Sequence, residues 1–159
     1  MALIWTNPKD LDREFIRMKE AYESAALDFL SKEGEEWLAY ARVNGPYRDR
    51  TGNLRNSIGY IIAQNGQIIS SVFNGNIQGT EPGGDPGTAH KEGLRYAEQI
   101  LRSIGQGKTY LILVAGKEYA VYVEAKKGYW VLEGVKDLIG SNIDSIKTEF
   151  KQRLKMELK

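Results

Sequence analysis

The chain has no cysteine, one histidine and four prolines in 159 residues, and each shortage removes a class of chemistry. Without cysteine there are no disulfides, no thiolate nucleophile and no sulfur-ligated zinc, a composition that fits a reducing compartment. Charge of either sign is also not in excess: 22 basic against 21 acidic residues leave a formal charge of +1. No global field draws a polyphosphate or an anionic membrane, so nucleic acid and lipid are not expected partners. Long hydrophobic runs are missing as well. Nothing approaches the roughly 20 apolar residues that span a bilayer, and the apolar stretch Met1–Trp5 is shorter than a signal-peptide core. These absences predict a protein made and used in the cytoplasm.

What is present is ordinary globular chemistry, 42% hydrophobic and 27% charged. A chain of this length buries roughly 70% of its unfolded surface, enough for a core of its own. The expectation is one α+β domain over residues 1–159.

The apolar residues Leu11, Phe15, Met18, Tyr22, Ala25, Phe29, Leu30, Trp37, Leu38 and Ala41 recur at helical spacing and predict a long amphipathic helix. Asn7 or Asp10 caps its start, Asn44-Gly45-Pro46 stops it, and Gly34 weakens its last third. Ile58 to Phe73 reads as a hairpin around Asn65-Gly66, the dipeptide of a type I′ turn. That turn sets Ile62 opposite Ile69, Tyr60 opposite Ser71 and Ile58 opposite Phe73 on the better core face, with Ala63 and Ile68, Ile61 and Ser70, and Gly59 and Val72 on the other. Residues 74–90 are rich in glycine and proline without hydrophobic period, so they read as a long loop, mobile or held by a partner. A short inserted helix follows over 91–104, with Leu94, Ala97, Leu101 and Ile104 on one side. A second hairpin is expected from Thr109 to Glu124 around Gly116-Lys117. Both of its faces are apolar, which calls for cover from helices on one side and from a neighbouring subunit on the other. From Leu132 the helical period returns through Val135, Ile139, Ile143, Ile146, Phe150 and Leu154, and the lysines and arginine near the end complement a helix dipole.

Catalytic chemistry needs a nucleophile with an oriented base, or a metal cluster. His90 sits in the glycine-rich loop, where a polar loop role suits it better than general-base work, even with Asp85 or Glu92 nearby in sequence. Gly79-Thr80 and Gly87-Thr88 resemble pieces of phosphate loops, but the full G-x-x-x-x-G-K-[ST] string is absent. Glu35 with Glu36 and Asp10 with Asp12 read as solvated helix faces, and Asp85 as a turn former, since a calcium ion wants six or more oxygens. No enzyme activity, cofactor or metal is expected. Tyr129 and Trp130 stand where they either close the core or anchor an interface.

Two strings remain: Arg50-Thr51-Gly52-Asn53-Leu54-Arg55-Asn56-Ser57-Ile58 and Tyr119-Ala120-Val121-Tyr122-Val123-Glu124. In this order they resemble the T-G-x-L-x-x-S-I and Y-A-x-Y-V-E signatures of small tail-component or head-to-tail joining (neck, tail-completion) proteins of long-tailed phages and prophages. The resemblance implies a cofactor-free α+β subunit that assembles into a homo-oligomeric ring among phage head or tail proteins, a virion component put together in the bacterial cytoplasm. It makes Thr51, Gly52, Leu54, Ser57, Tyr119, Tyr122 and Glu124 the signature positions, with Asn53 beside them, as architectural or interface residues. Here Thr51 or Asn53 caps a short turn, Gly52 permits a tight backbone, Leu54 enters the core and Glu124 accepts hydrogen bonds from its own turn or a neighbour. Two departures stand out: Ala125-Lys126-Lys127-Gly128-Tyr129-Trp130-Val131-Leu132 replaces the family's Gly-Thr or Gly-Ser pair and Pro-aromatic-Leu stretch, and the 74–104 insertion is longer than the simplest members carry. A different reading is a host protein- or ligand-binding module that grips its target with the 74–90 loop.

Overall fold

The structure, a computed structural model, describes residues 8–159. The Met1–Trp5 stretch and the Asn7 cap lie outside the described residues. The architecture is α+β: α1 (Pro8–Asn44), α2 (Asn53–Asn56), β1 (Ile58–Gln64), β2 (Gln67–Val72), α3 (Pro86–Ser103), β3 (Thr109–Ala115), α4 (Ala120–Glu124) and α5 (Glu133–Glu157). The chain divides into two compact units. One holds the described residues up to Phe29 together with Ile143–Lys159, and the other Leu30–Asn142.

The first unit is helical. Ala25 and Phe29 of α1 are buried, and the Phe150 ring of α5 meets Tyr22 edge-on at 5.7 Å and Phe29 at 5.2 Å.

The second unit is built on a three-stranded antiparallel sheet in the order β2-β1-β3. Asn65 (φ 53°) and Gly66 (φ 80°) supply the two positive φ values that the hairpin turn needs. The register holds for the pairs next to the turn and then slips: Ala63 faces Ile68, but Ile62 faces Ser70, Ile61 faces Ser71 and Tyr60 faces Val72. An irregularity between Ile62 and Ala63 absorbs one extra residue of β2, so the expected partnership of Ile62 with Ile69 does not form.

Six consecutive residues of β1, from Ile58 to Ala63, are buried, which a central strand covered on both faces requires. On one face Ile61, Ala63 and Val114 pack with Ala97 and Leu101 of α3, joined by Leu94, Ile104, Ile112 and Phe73. This is the helical stripe expected for the inserted helix. On the other face Tyr60 lies against α1. A Cβ on Gly34 would stand 2.6 Å from the Tyr60 ring, so this glycine sets the close approach of helix to sheet. The Tyr60 hydroxyl donates to the Glu35 carboxylate at 2.9 Å.

Two expectations are corrected. The inserted helix begins at Pro86, not Lys91: the Asp85 carboxylate accepts the Thr88 N–H at 2.9 Å and Pro86 occupies the first turn, a helix start written inside the glycine-rich segment. The second hairpin does not form. β3 ends at Ala115, and Tyr119–Glu124 contributes a helical turn in place of a strand. At Gly116 the chain passes so close to α3 that a Cβ would fall 2.4 Å from the Gly93 backbone, and it turns away there. With the hairpin goes its two-sided apolar strand pair. Among the described residues β3 instead has an open outer edge. The Gly116 N–H on the Ser57 carbonyl (3.1 Å) and the Asn65 N–H on the Lys108 carbonyl (3.2 Å) fix the phase of the β1–β3 ladder. Even-numbered residues of β3 face β1, so Leu111, Leu113 and Ala115 turn their backbone groups to the open edge.

Candidate functional site

The first string forms a tight knot that holds the 74–85 segment. Gly52 sits at φ 81°, and a Cβ there would meet the Ile77 carbonyl oxygen at 2.1 Å, so only glycine satisfies both the backbone and the space. The cap of α2 comes from a residue outside the string. Asp49 accepts the N–H groups of Gly52 (3.0 Å) and Arg55 (2.7 Å), whereas Thr51 offers Asn53 only a long contact of 3.4 Å. Asn53 does not cap the turn but ties the loop, donating to the Gly83 carbonyl (3.1 Å) and accepting the Asp85 N–H (2.7 Å). Leu54 is buried, as expected. The Ser57 hydroxyl is buried too and donates to the Leu54 carbonyl at 2.7 Å, an architectural use of the group.

Three residues that the sequence reading passed over complete the knot. Asn56, fully buried, makes a two-way amide pair with Ile77, donating to its carbonyl at 2.8 Å and accepting its N–H at 2.9 Å. Arg55 donates to the carbonyls of Arg42 (2.8 Å), Gly45 (2.7 Å) and Tyr47 (3.1 Å), satisfying acceptors at and just beyond the end of α1, with its guanidinium 4.3 Å from the Tyr47 ring centre. Arg42 reaches the other way, to the carbonyls of Ile58 (2.7 Å) and Asn74 (2.6 Å). The only sequence hint was position, since Arg55 and Asn56 lie within the string. The loop read as mobile or partner-held is thus bound by its own chain. Glu81 adds to this through its N–H on the Arg50 carbonyl (2.7 Å) and its carboxylate on Arg50 and Arg48.

The second string faces both ways. Ala120 is buried, while Tyr119, Val121 and Tyr122 are 43%, 71% and 79% exposed. Glu124 turns inward to its own chain and accepts the N–H groups of Val131 (2.7 Å), Leu132 (2.9 Å) and Glu133 (2.8 Å) at the start of α5. A carboxylate there fills orphan donors and complements the positive end of the helix dipole. Of the aromatic pair, Trp130 stacks on Tyr40 of α1 at 5.7 Å with an interplanar angle of 10°, a packing role inside the chain. Tyr129 is half-buried, with the Lys126 ammonium 4.6 Å from its ring centre.

The two strings converge on Tyr47. Burial pushes its phenol far above the ordinary range; Arg55 pulls the other way, and the charges of Asp49 and Glu124 with Tyr119 add to the rise. Tyr119 is also raised, by burial first and then by Asp49 and Glu92. Beside the second string lies a groove of about 800 Å³ whose apolar lining includes Tyr96, Ala115, Ala120, Val121, Val131 and Leu132.

The carboxylates near His90 have other work: Asp85 accepts from Thr88, and Glu92 pairs with Lys117 at 2.5 Å. Among the described residues no group of three or more His, Asp or Glu side chains is arranged to hold a metal ion, and no helix is long and apolar enough to cross a membrane. Compared with family models, curated proteins and solved structures, the chain finds no significant match in any of the three.

Proposed function

We propose that the chain is a non-enzymatic structural protein of a phage or prophage virion, which joins head to tail or completes the tail by assembling into a ring. The observation that carries this reading is the outward half of α4. Val121 and Tyr122 are held in water, and Tyr119 partly so, by a helical turn whose other residues face inward: Ala120 is buried, Val123 is half-buried and Glu124 is bonded to the start of α5. Large apolar side chains displayed on a fixed support suit a contact with another protein, and tyrosines are favoured at the centre of such contacts. The adjoining groove gives an incoming side chain a place to go. The order of the two strings supports the viral assignment, and the open edge of β3 adds backbone groups that a neighbour can pair.

A host module gripping a ligand with the 74–90 loop is less well served, because Asn53, Asn56 and Arg50 already occupy that loop's backbone. Light scattering at micromolar concentration, alone and with a neighbouring connector protein, tests the proposal. Rings or a stable complex are expected, with Tyr122→Asp lowering the association at least tenfold. A strict monomer that binds no head or tail protein overturns it. Portal, capsid and tail-tube genes on either side of the coding sequence are expected as well.

A further inference from the structure

The first turns of α1 carry a second apolar surface, far along the chain from α4. Leu11, Phe15, Met18, Tyr22, Ala25 and Phe29 recur at alternating intervals of four and three, the a/d spacing of a coiled-coil seam. The seam is used only in part. Its last two positions, Ala25 and Phe29, are 1% and 7% exposed. Its first four, Leu11, Phe15, Met18 and Tyr22, are 40%, 60%, 45% and 50% exposed. One continuous stripe is therefore packed at one end and open at the other, with Tyr22, half-exposed and met edge-on by Phe150, at the boundary.

The flanking charges say what fits it. With Phe15 and Tyr22 at a and Leu11 and Met18 at d, Glu14 falls at g and Lys19 at the following e. In a parallel pair of identical helices each g residue meets the next e residue of the other helix, so Glu14 meets Lys19 of a second copy twice over by symmetry. An antiparallel pair does not make this match. In the single chain Glu14 contacts Arg17 (3.0 Å) and Lys19 contacts Glu23 (3.9 Å), both exposed pairs of little worth that re-pair readily. Further along, Ala21 at g and Ala26 at e leave room for close approach.

We infer that the Leu11–Tyr22 segment of α1 is a docking surface for the same segment of a second copy, paired parallel through the Phe15 and Tyr22 rings with Leu11 and Met18. The bare seam is under two heptads long, so the contact is of the weak, concentration-dependent class that buries less than ~1,200 Å². It uses none of the α4 residues, and Tyr122→Asp leaves it unchanged.

Sedimentation velocity on the full chain at rising concentration and low salt tests it. A monomer–dimer equilibrium is expected in the Tyr122→Asp chain, where association through α4 is weakened. Phe15→Asp abolishes the dimer while far-UV circular dichroism stays as in the parent, since the ring is mostly in water. Lys19→Glu sets Glu14 against a glutamate and raises the dissociation constant about tenfold, two symmetric pairs each changing by a sizeable fraction of 1.4 kcal/mol. The double exchange Glu14→Lys with Lys19→Glu restores the parent value to within a few-fold. A parent chain that stays monomeric throughout overturns the inference. So does a Phe15→Asp chain that dimerises normally, or a double exchange no better than Lys19→Glu, which would mean another pairing. Rings that survive Phe15→Asp leave the α4 reading standing.

Discussion

Removing the Glu124 carboxylate is expected to loosen the start of α5 and lower the stability of the chain by about 2–3 kcal/mol. In the structure one oxygen accepts from Val131 and Leu132 at 2.7 and 2.9 Å and the other from Glu133 at 2.8 Å. A hydrogen bond to a charged group contributes ~1.5–3 kcal/mol net, but three on one carboxylate are not additive, and loss of a helix cap alone costs ~0.5–2 kcal/mol. Glu124→Ala lies between these bounds. At ~2–4 °C per kcal/mol for a chain of this size, the midpoint of thermal unfolding falls by roughly 4–12 °C. Glu124→Gln keeps one carbonyl oxygen for Val131 and Leu132 and turns an NH₂ toward Glu133, so it loses about 1 kcal/mol. Amide exchange gives the local check: the N–H groups of Val131, Leu132 and Glu133 speed up in Glu124→Ala, ahead of those in β1. Equal stability of the parent and Glu124→Ala, or unchanged exchange at those three amides, refutes the capping argument.

Gly34→Ala sets two effects against each other. Alanine favours an exposed helix by about 1 kcal/mol, yet its Cβ would stand 2.6 Å from the buried Tyr60 ring. Overpacking of ~1–3 kcal/mol wins, so chemical denaturation shows a less stable chain. Gly52→Ala, with φ 81° and the Ile77 carbonyl 2.1 Å from the new carbon, is expected to release the 74–85 segment, seen as faster protease cleavage there. Tyr60 gives a pH dependence. Burial first, then its bond to Glu35, pushes its phenol up to about 12 from an ordinary 10. The unfolded chain releases that proton more readily, so the contribution is whole below pH 10 and is lost as pH rises through 12. Tyr60→Phe flattens the alkaline arm of a stability–pH curve. Along β3, the Ile112 and Val114 amides exchange more slowly than those of Leu111 and Leu113 in the dissociated chain, because only the even residues face β1.

Legibility in the sequence followed the strength of local patterns. Long helices spoke through spacing, and Asn65-Gly66 through the backbone that only such a pair adopts readily, so α1, α5 and the β1–β2 turn stand where expected. The bulge in β2 had no sequence signal, because Ile68 and Ile69 offer either registration. Misreading Tyr119–Glu124 has a definite cause. Alternating tyrosine and valine suits a strand, but six residues are too few to separate period 2 from period 3.6. Ala120, Val123 and Glu124 share a helical face, and what selects the helix is Glu124 reaching donors seven to nine residues ahead, a tertiary demand that spacing does not display. The start of α3 was legible in Asp85-Pro86-Gly87-Thr88, where a cap residue precedes a first-turn proline. Glycine-rich composition hid it.

The two strings that suggested a family divide physically into residues that hold the chain and residues that leave it. Gly52, Asn53, Leu54, Ser57 and Glu124 spend their chemistry inside: on a close backbone approach, on the 74–85 segment, on the core and on the first turn of α5. Tyr119 and Tyr122 turn outward. A motif in which most positions fix a local shape and two present rings to solvent is the pattern of a mounted contact, and the mount is costly to alter while the rings are not. Substitutions in the inward set therefore lower stability and association together. At Tyr122, 79% exposed and at the rim of nothing the fold depends on, a change to aspartate alters association alone. A Tyr122→Asp chain that unfolds early would mean that the ring supports the fold, and the outward half of the motif would lose its claim to a partner.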